Sequence, residues 1–90
     1  MKTQDRVLLE AFNGTTVVPD KTEKHENYWV LIGLLGTIID DNASDKFVAH
    51  DGFKRMLVQF DTILDDLGLE NHNQTKNSLW IRISDLKRLS

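Results

Sequence analysis

Cysteine is absent from this chain, and proline occurs once among its 90 residues. Without cysteine the chain forms no disulfide, no thiolate metal site and no cysteine nucleophile, which is typical of proteins from a reducing compartment. A strong excess of one charge is also lacking, because 11 Lys and Arg stand against 14 Asp and Glu. The resulting net charge of -3 gives no strong field toward nucleic acid or an anionic membrane.

Long hydrophobic runs are missing as well. The most apolar stretch, residues 28–39, is interrupted by Gly33 and Gly36, and a membrane-spanning helix needs about 20 apolar residues. The first residues do not contain the apolar region of a signal peptide. We therefore expect a cytoplasmic protein without a membrane segment. A chain of this length predicts a single domain over residues 1–90 with one small core.

Several short segments have the composition and alternation of β-strands. They are residues 6–12, 15–18, 37–39, 55–60 and 79–83. Residues 55–60 alternate most regularly, with Met56, Val58 and Phe60 on one face. Asn13-Gly14 separates the first two segments and favours the tight turn of a β-hairpin. Residues 20–27 are polar throughout and predict an exposed loop.

Two connections, residues 41–54 and 61–77, are long for so small a domain, and such loops tend to carry function or disorder. In the second, Ile63, Leu64 and Leu67 predict one amphipathic turn that ends at Gly68. After the last strand, Ser84 is placed to cap a single helical turn over residues 84–87. The predicted fold class is all-β: a small barrel of about five strands with two long loops and a short C-terminal turn.

Three segments resemble SH3-like barrels, and among these the KOW-type modules. They are the G-x-x-G-x-[VI] turn of residues 33–38, the strand Met56-Leu57-Val58-Gln59-Phe60, and Trp80-Ile81-Arg82-Ile83-Ser84-Asp85-Leu86. The resemblance implies an SH3-like barrel whose last strand ends in a short 3₁₀ turn, as in small uncharacterised bacterial proteins. KOW modules that bind RNA commonly carry basic residues between the two glycines, where this chain has Leu34 and Leu35. The phosphate-binding role therefore does not carry over, while Gly33 and Gly36 are expected to form a tight turn.

No catalytic motif is present, and we expect no catalytic residue, metal or cofactor. The three histidines lie in different predicted loops and lack metal-ligand spacing, and the adjacent carboxylates diverge within loops. These residues are His25, His50 and His72, and the pairs Asp40-Asp41 and Asp65-Asp66. A small enzyme or metal protein built from these clustered acids and loop histidines is the third hypothesis.

Aromatic and aliphatic residues predict a partner-binding surface. Trp80 alternates with Leu79 and Ile81 and therefore lies on the opposite strand face, exposed or packed beneath the 61–77 connection. Tyr28 and Trp29 are adjacent, so in an extended chain only one faces the core. The predicted partner-binding residues are Tyr28, Trp29, Leu34, Leu35, Asp65, Asp66 and Trp80. The first hypothesis is therefore a non-catalytic protein-binding module of the adaptor or immunity type.

The alternative is a KOW-like nucleic-acid-binding module. It would use the basic residues Lys46, Lys54, Arg55, Arg82, Lys87 and Arg88. Against it stand the net charge of -3 and the apolar turn between the glycines. We therefore expect a protein partner rather than nucleic acid.

Overall fold

The computed structural model describes residues 1–41, 53–71 and 73–89. They form five antiparallel strands in one sheet: β1 (Arg6–Leu9), β2 (Leu35–Asp40), β3 (Arg55–Phe60), β4 (Ser78–Arg82) and β5 (Leu86–Leu89). The strand order is β4-β3-β2-β1-β5. Among these residues the only helical elements are the 3₁₀ turns Lys24–Glu26, Tyr28–Leu31, Leu64–Leu67 and Ile83–Asp85. The predicted all-β fold of about five strands is confirmed, while the likeness to a particular barrel family stays a prediction.

The core lies against the inner face of the sheet, because apolar residues alternate along the central strands. Val58 of β3 pairs with Ile38 of β2 and Leu79 of β4, and all three side chains are buried. The full set of buried apolar residues is Val7, Leu9, Phe12, Tyr28, Leu31, Ile38, Met56, Val58, Phe60, Leu64, Leu69, Leu79, Ile81 and Leu86. The predicted inner face of β3 is therefore confirmed.

The predicted hairpin is only partly present. Asn13 and Gly14 have φ angles of 49° and 81°, as a type I′ turn requires, and Phe12 pairs with Thr15 through an isolated bridge. Residues 15–18 form no strand, and Val17 is 71% exposed. The prediction of a strand there was wrong, because β-branched residues form a strand only where a neighbouring strand and a core are available to them.

The fifth strand is β5, which the sequence pattern did not indicate. The predicted short C-terminal turn is present, but it lies over Ile83–Asp85 rather than residues 84–87, and the predicted cap by Ser84 was wrong. This 3₁₀ turn begins one residue earlier and ends two residues earlier than predicted, and it has no side-chain cap. Leu86 follows it, pairs with Leu9 of β1 and is buried, so the chain is already extended where helix was predicted.

The two glycines of the apolar turn have different roles. Gly33 has a φ of 92°, a left-handed conformation that glycine adopts without steric cost, as predicted. Gly36 is instead a buried residue of β2. A Cβ on Gly36 would lie 2.7 Å from Val58 Cγ1 and 2.8 Å from the carbonyl oxygen of Gln59. The prediction that Gly36 forms part of a tight turn was therefore wrong. Its missing side chain instead allows β2 and β3 to pack closely.

The β3–β4 connection contains the predicted single turn. The 3₁₀ turn Leu64–Leu67 ends at Gly68, which has a left-handed conformation. Leu64 is fully buried, and its N–H donates to the side-chain oxygen of Asn77 at 3.0 Å. In the other long connection, residues 42–52 lie outside the described residues. None of the helices that the structure describes is long and apolar enough to cross a membrane.

Candidate functional site

Three aromatic side chains meet within the β1–β2 connection, residues 10–34. The ring centroid of Phe12 lies 5.5 Å from that of Tyr28 and 4.9 Å from that of Trp29. The Phe12 and Trp29 rings meet edge to face, an arrangement that stabilises aromatic pairs. The connection therefore places an aromatic cluster where the chain turns back toward β2.

The 3₁₀ turn Tyr28–Leu31 decides which aromatic ring enters the core. Residues three apart lie on the same side of a 3₁₀ turn, and Tyr28 and Leu31 are both buried. Trp29 is half-buried and packs against the core, while Val30 is 49% exposed. The expectation that only one of the two adjacent aromatics faces the core applied to an extended chain, whereas in this turn Tyr28 belongs to the core and Trp29 packs against it.

This cluster lines an open pocket of about 460 Å³. The pocket is lined by Phe12, Asn13, Lys21, Thr22, Glu23, Glu26, Tyr28 and Trp29. Lys21, Glu23 and Glu26 are exposed, so two carboxylates and one ammonium group stand at the edge of an aromatic floor. We call this the aromatic pocket. It combines apolar contact area with charged groups in contact with solvent.

The polar group of the Trp29 side chain is not exposed to the aromatic pocket. Its indole Nε1 is buried and donates no hydrogen bond to any residue that the structure describes. A buried donor without an acceptor costs about 1 to 3 kcal/mol. A molecule in the pocket would therefore contact the Trp29 ring rather than Nε1.

Tyr28 ties the aromatic pocket to the β3–β4 connection. Its hydroxyl donates to the carbonyl oxygen of Glu70 at 2.8 Å. Burial, and then the negative charges of Glu26 and Glu70, raise the pKa of the Tyr28 hydroxyl. The phenol is therefore neutral and keeps its proton for this hydrogen bond at physiological pH.

The structure brings together only part of the predicted partner-binding set. Tyr28 and Trp29 share the aromatic pocket, with Tyr28 only 8% exposed. Leu34 is half-buried and packs against the core, and its carbonyl oxygen accepts from the N–H of Leu9 at 3.1 Å. Leu35 is 37% exposed at the start of β2. Of the two apolar turn residues, Leu35 therefore offers the larger surface.

The remaining predicted residues lie in other parts of the molecule. Trp80 is half-buried on β4, opposite Leu57 of β3. Leu35 lies near the other end of β3, because its carbonyl oxygen accepts a hydrogen bond from the N–H of Asp61, the residue that follows this strand. Asp61 is four residues, or about 13 Å of extended chain, from Leu57. Asp65 and Asp66 are exposed in the 3₁₀ turn Leu64–Leu67.

Sequence reasoning missed several residues of the aromatic pocket. Phe12 was assigned to a strand, and Lys21, Glu23 and Glu26 to an exposed loop without function. The exposure was correct, since these three side chains are all exposed. The available signal was the polar segment directly before Tyr28, because a charged loop that leads into an aromatic pair can form the edge of a pocket.

The basic residues of the alternative hypothesis are divided among several environments. Arg55 is buried, and the guanidinium of Arg82 lies 3.8 Å from the ring centroid of Phe53. Lys87 and Arg88 are exposed on β5, which stands at the other end of the strand order from β4. Lys54 is exposed, and Lys46, His50 and His72 lie outside the described residues.

Comparisons with protein-family models, with curated proteins and with solved structures find no match for this chain. Function is therefore argued from the geometry of the site.

Proposed function

We propose that this chain is a non-catalytic protein-binding module that holds a partner segment in the aromatic pocket. The observation that carries the proposal is the half-buried Trp29, whose side chain lines the pocket together with Phe12 and Tyr28. Aromatic side chains in partly desolvated pockets are frequent anchors of protein interfaces.

The surroundings of the aromatic pocket favour a partner with both apolar and polar groups. Phe12, Tyr28 and Trp29 supply the apolar contact, and the exposed carboxylates of Glu23 and Glu26 outnumber the ammonium of Lys21. Rim charges of this kind act mainly on the encounter rate and on the choice of partner. An adaptor or immunity-type role, in which a small domain captures one protein segment, is consistent with this arrangement.

The first experiment selects peptides from a displayed random library on the immobilised protein and titrates a selected peptide into the ¹⁵N-labelled chain. We expect the largest shifts at the indole N–H of Trp29 and at the amides of Glu23 and Glu26. Trp29→Phe keeps an aromatic ring but reduces the apolar contact area, so binding should weaken about five- to tenfold, or by about 1 kcal/mol. Trp80→Phe is the matched control and should bind as the wild type does.

Two results would overturn the proposal. One is the absence of any selected peptide with saturable binding. The other is a peptide whose shifts map to Asp65 and Asp66 or to Trp80, with Trp29→Phe and Trp80→Phe equally affected. The same labelled protein, titrated with single-stranded and double-stranded oligonucleotides at low salt, tests the nucleic-acid alternative. Saturable oligonucleotide binding with a steep salt dependence would replace the proposal by that alternative.

A further inference from the structure

The edge of the aromatic pocket is negatively charged overall. Glu23 and Glu26 each contribute an exposed carboxylate, against the single ammonium group of Lys21. Within the part of the chain that the structure describes, no ion pair joins Lys21 to either glutamate. Both carboxylates are therefore available to a cationic group that enters the pocket.

The negative potential extends to the wall of the pocket. Burial is the main cause of the raised pKa of the Tyr28 hydroxyl, and the charges of Glu26 and Glu70 raise this pKa further. A neighbouring negative charge raises the pKa of a phenol because it disfavours the phenolate. The same charges stabilise a cation at this place, so the pocket favours a positively charged group over a neutral or negative one.

Trp29 supplies an aromatic surface for such a group. The residue is half-buried while its Nε1 is buried, so the part of the ring that faces the pocket is carbon. The face of an aromatic ring attracts cations, most strongly in tryptophan and most often from arginine. Phe12 packs edge to face with Trp29 and restricts the orientation of its ring. The pocket therefore combines an ordered aromatic floor with carboxylates at its edge.

These features together define the chemical group that the pocket selects. We infer that the aromatic pocket binds an arginine side chain of the partner segment. The planar guanidinium stacks on aromatic rings, is more weakly hydrated than an ammonium group and donates hydrogen bonds to carboxylates from a rigid fork. The aliphatic stem of arginine adds apolar contact with the rings. The inference rests on the proposed protein-binding function and adds the class of side chain that its site recognises.

The first test compares two probes of nearly equal shape and different charge. They are N-acetyl-arginine amide and N-acetyl-citrulline amide, in which a neutral urea replaces the guanidinium. Each probe is titrated into the ¹⁵N-labelled chain. We expect the arginine probe to shift the resonances of Trp29, Glu23 and Glu26 and to bind at least about fivefold more tightly than the citrulline probe, because contact of a cation with an aromatic face contributes about that factor. High salt should reduce the preference.

Charge substitutions at the edge of the pocket test the direction of the effect. Glu23→Gln and Glu26→Gln should each weaken binding of the arginine probe about two- to fivefold, the usual range for an exposed ion pair, whereas Lys21→Gln should strengthen it. Asp20→Asn is the matched control, because Asp20 is exposed in the same segment but does not line the pocket. Its affinity should equal that of the wild type. Circular dichroism checks that these exposed substitutions leave the fold intact.

Two results with the probes would overturn the inference. One is equal affinity for the arginine and citrulline probes, or no binding of either. The other is wild-type affinity for the arginine probe in both Glu23→Gln and Glu26→Gln.

A peptide selected on the immobilised protein separates this inference from the proposed function. Replacement of its arginine by citrulline should weaken binding at least about fivefold. Unchanged affinity, in a peptide that Trp29→Phe still weakens, would overturn the inference and leave the protein-binding function in place. A selected peptide without arginine that binds at Trp29 would do the same.

Discussion

The β3–β4 pair and the β1–β2 connection follow different structural rules. In the pair, five registered residue pairs run from Arg55 opposite Arg82 to Gln59 opposite Ser78, and buried and half-buried side chains alternate along much of both strands. In the connection, the one isolated bridge among residues 10–34 joins Phe12 and Thr15, and the last residues, Gly33 and Leu34, form main-chain hydrogen bonds with Leu9 of β1. The connection is held instead by 3₁₀ turns and by the side chains that it sends into the core.

This difference separates stability from recognition. The sheet buries the apolar residues of its inner face, such as Val58 and Ile81, whereas the connection leaves Trp29 half-buried, Val30 exposed and the carboxylate of Glu23 in solvent. Loops on a rigid scaffold commonly carry binding residues, because their groups are not all engaged in sheet hydrogen bonds. We therefore expect substitutions in the sheet to change the free energy of unfolding and substitutions in the connection to change binding.

The largest effect is expected in the sheet. Ile81 is 1% exposed and pairs with Met56 on the inner face. Ile81→Ala should lower the free energy of unfolding by about 2 to 4 kcal/mol, because it leaves a cavity in a small core. Ile63→Ala is the control, since Ile63 is 49% exposed, and its effect should stay within about 0.5 kcal/mol. Urea denaturation measures both, and equal losses would contradict the assigned inner face.

A second substitution in the sheet adds volume rather than removing it. Gly36→Ala would place a methyl group 2.7 Å from Val58 Cγ1 and 2.8 Å from the main-chain oxygen of Gln59. We expect a loss of about 1 to 3 kcal/mol from overpacking, measured by the same denaturation. The double variant Gly36→Ala with Val58→Ala should lose less free energy of unfolding than the sum of the two single variants. The smaller side chain at residue 58 makes room for the added methyl group, and that methyl group fills part of the cavity. Strict additivity would show that β2 and β3 are not packed as closely as described.

The hydrogen bond that joins the β1–β2 and β3–β4 connections should have an intermediate effect on the free energy of unfolding. Tyr28→Phe keeps the buried ring but removes the hydrogen bond to the carbonyl oxygen of Glu70. The loss should be about 0.5 to 1.5 kcal/mol, the usual value for one hydrogen bond. Amide hydrogen exchange should become faster at Glu70, whose N–H donates to the carbonyl oxygen of His25. Unchanged exchange at Glu70 would show that the two connections are held together without Tyr28.

The smallest effect is expected at the exposed ion pair between Arg6 and Asp61. The hydrogen bond from Arg6 holds the pKa of Asp61 below its usual range. The stabilisation is therefore fully present above the unfolded-state pKa of about 4, and is lost as the pH falls through the lower folded-state value. Asp61→Asn should lower the denaturation midpoint slightly at pH 7 and remove this part of its acid dependence, whereas Asp20→Asn should not. High salt should reduce the difference, since exposed pairs are screened.

Local patterns predicted the sheet well where strands alternate strictly. Residues 55–60 were predicted with the observed bounds of β3, because Met56, Val58 and Phe60 occupy every second position and so identify the inner face of the strand. The turn at Asn13-Gly14 and the left-handed Gly33 also follow from local conformational preferences. The site was predicted only in part. Trp29 was identified from its own chemistry, whereas Phe12 was not, because the contact between them spans 17 positions of the chain.

By itself, the sequence determined that the protein is all-β, that β3 has one apolar face, and that a polar segment precedes Tyr28. Only the tertiary structure decided that Leu86–Leu89 pairs with β1, that residues 15–18 form no strand, and that His25 meets Glu70. The physical reason is the range of the interactions. Alternation and turn conformation act between neighbours and are visible in consecutive letters. Strand partners and side-chain clusters depend on which distant segments bury their apolar groups together.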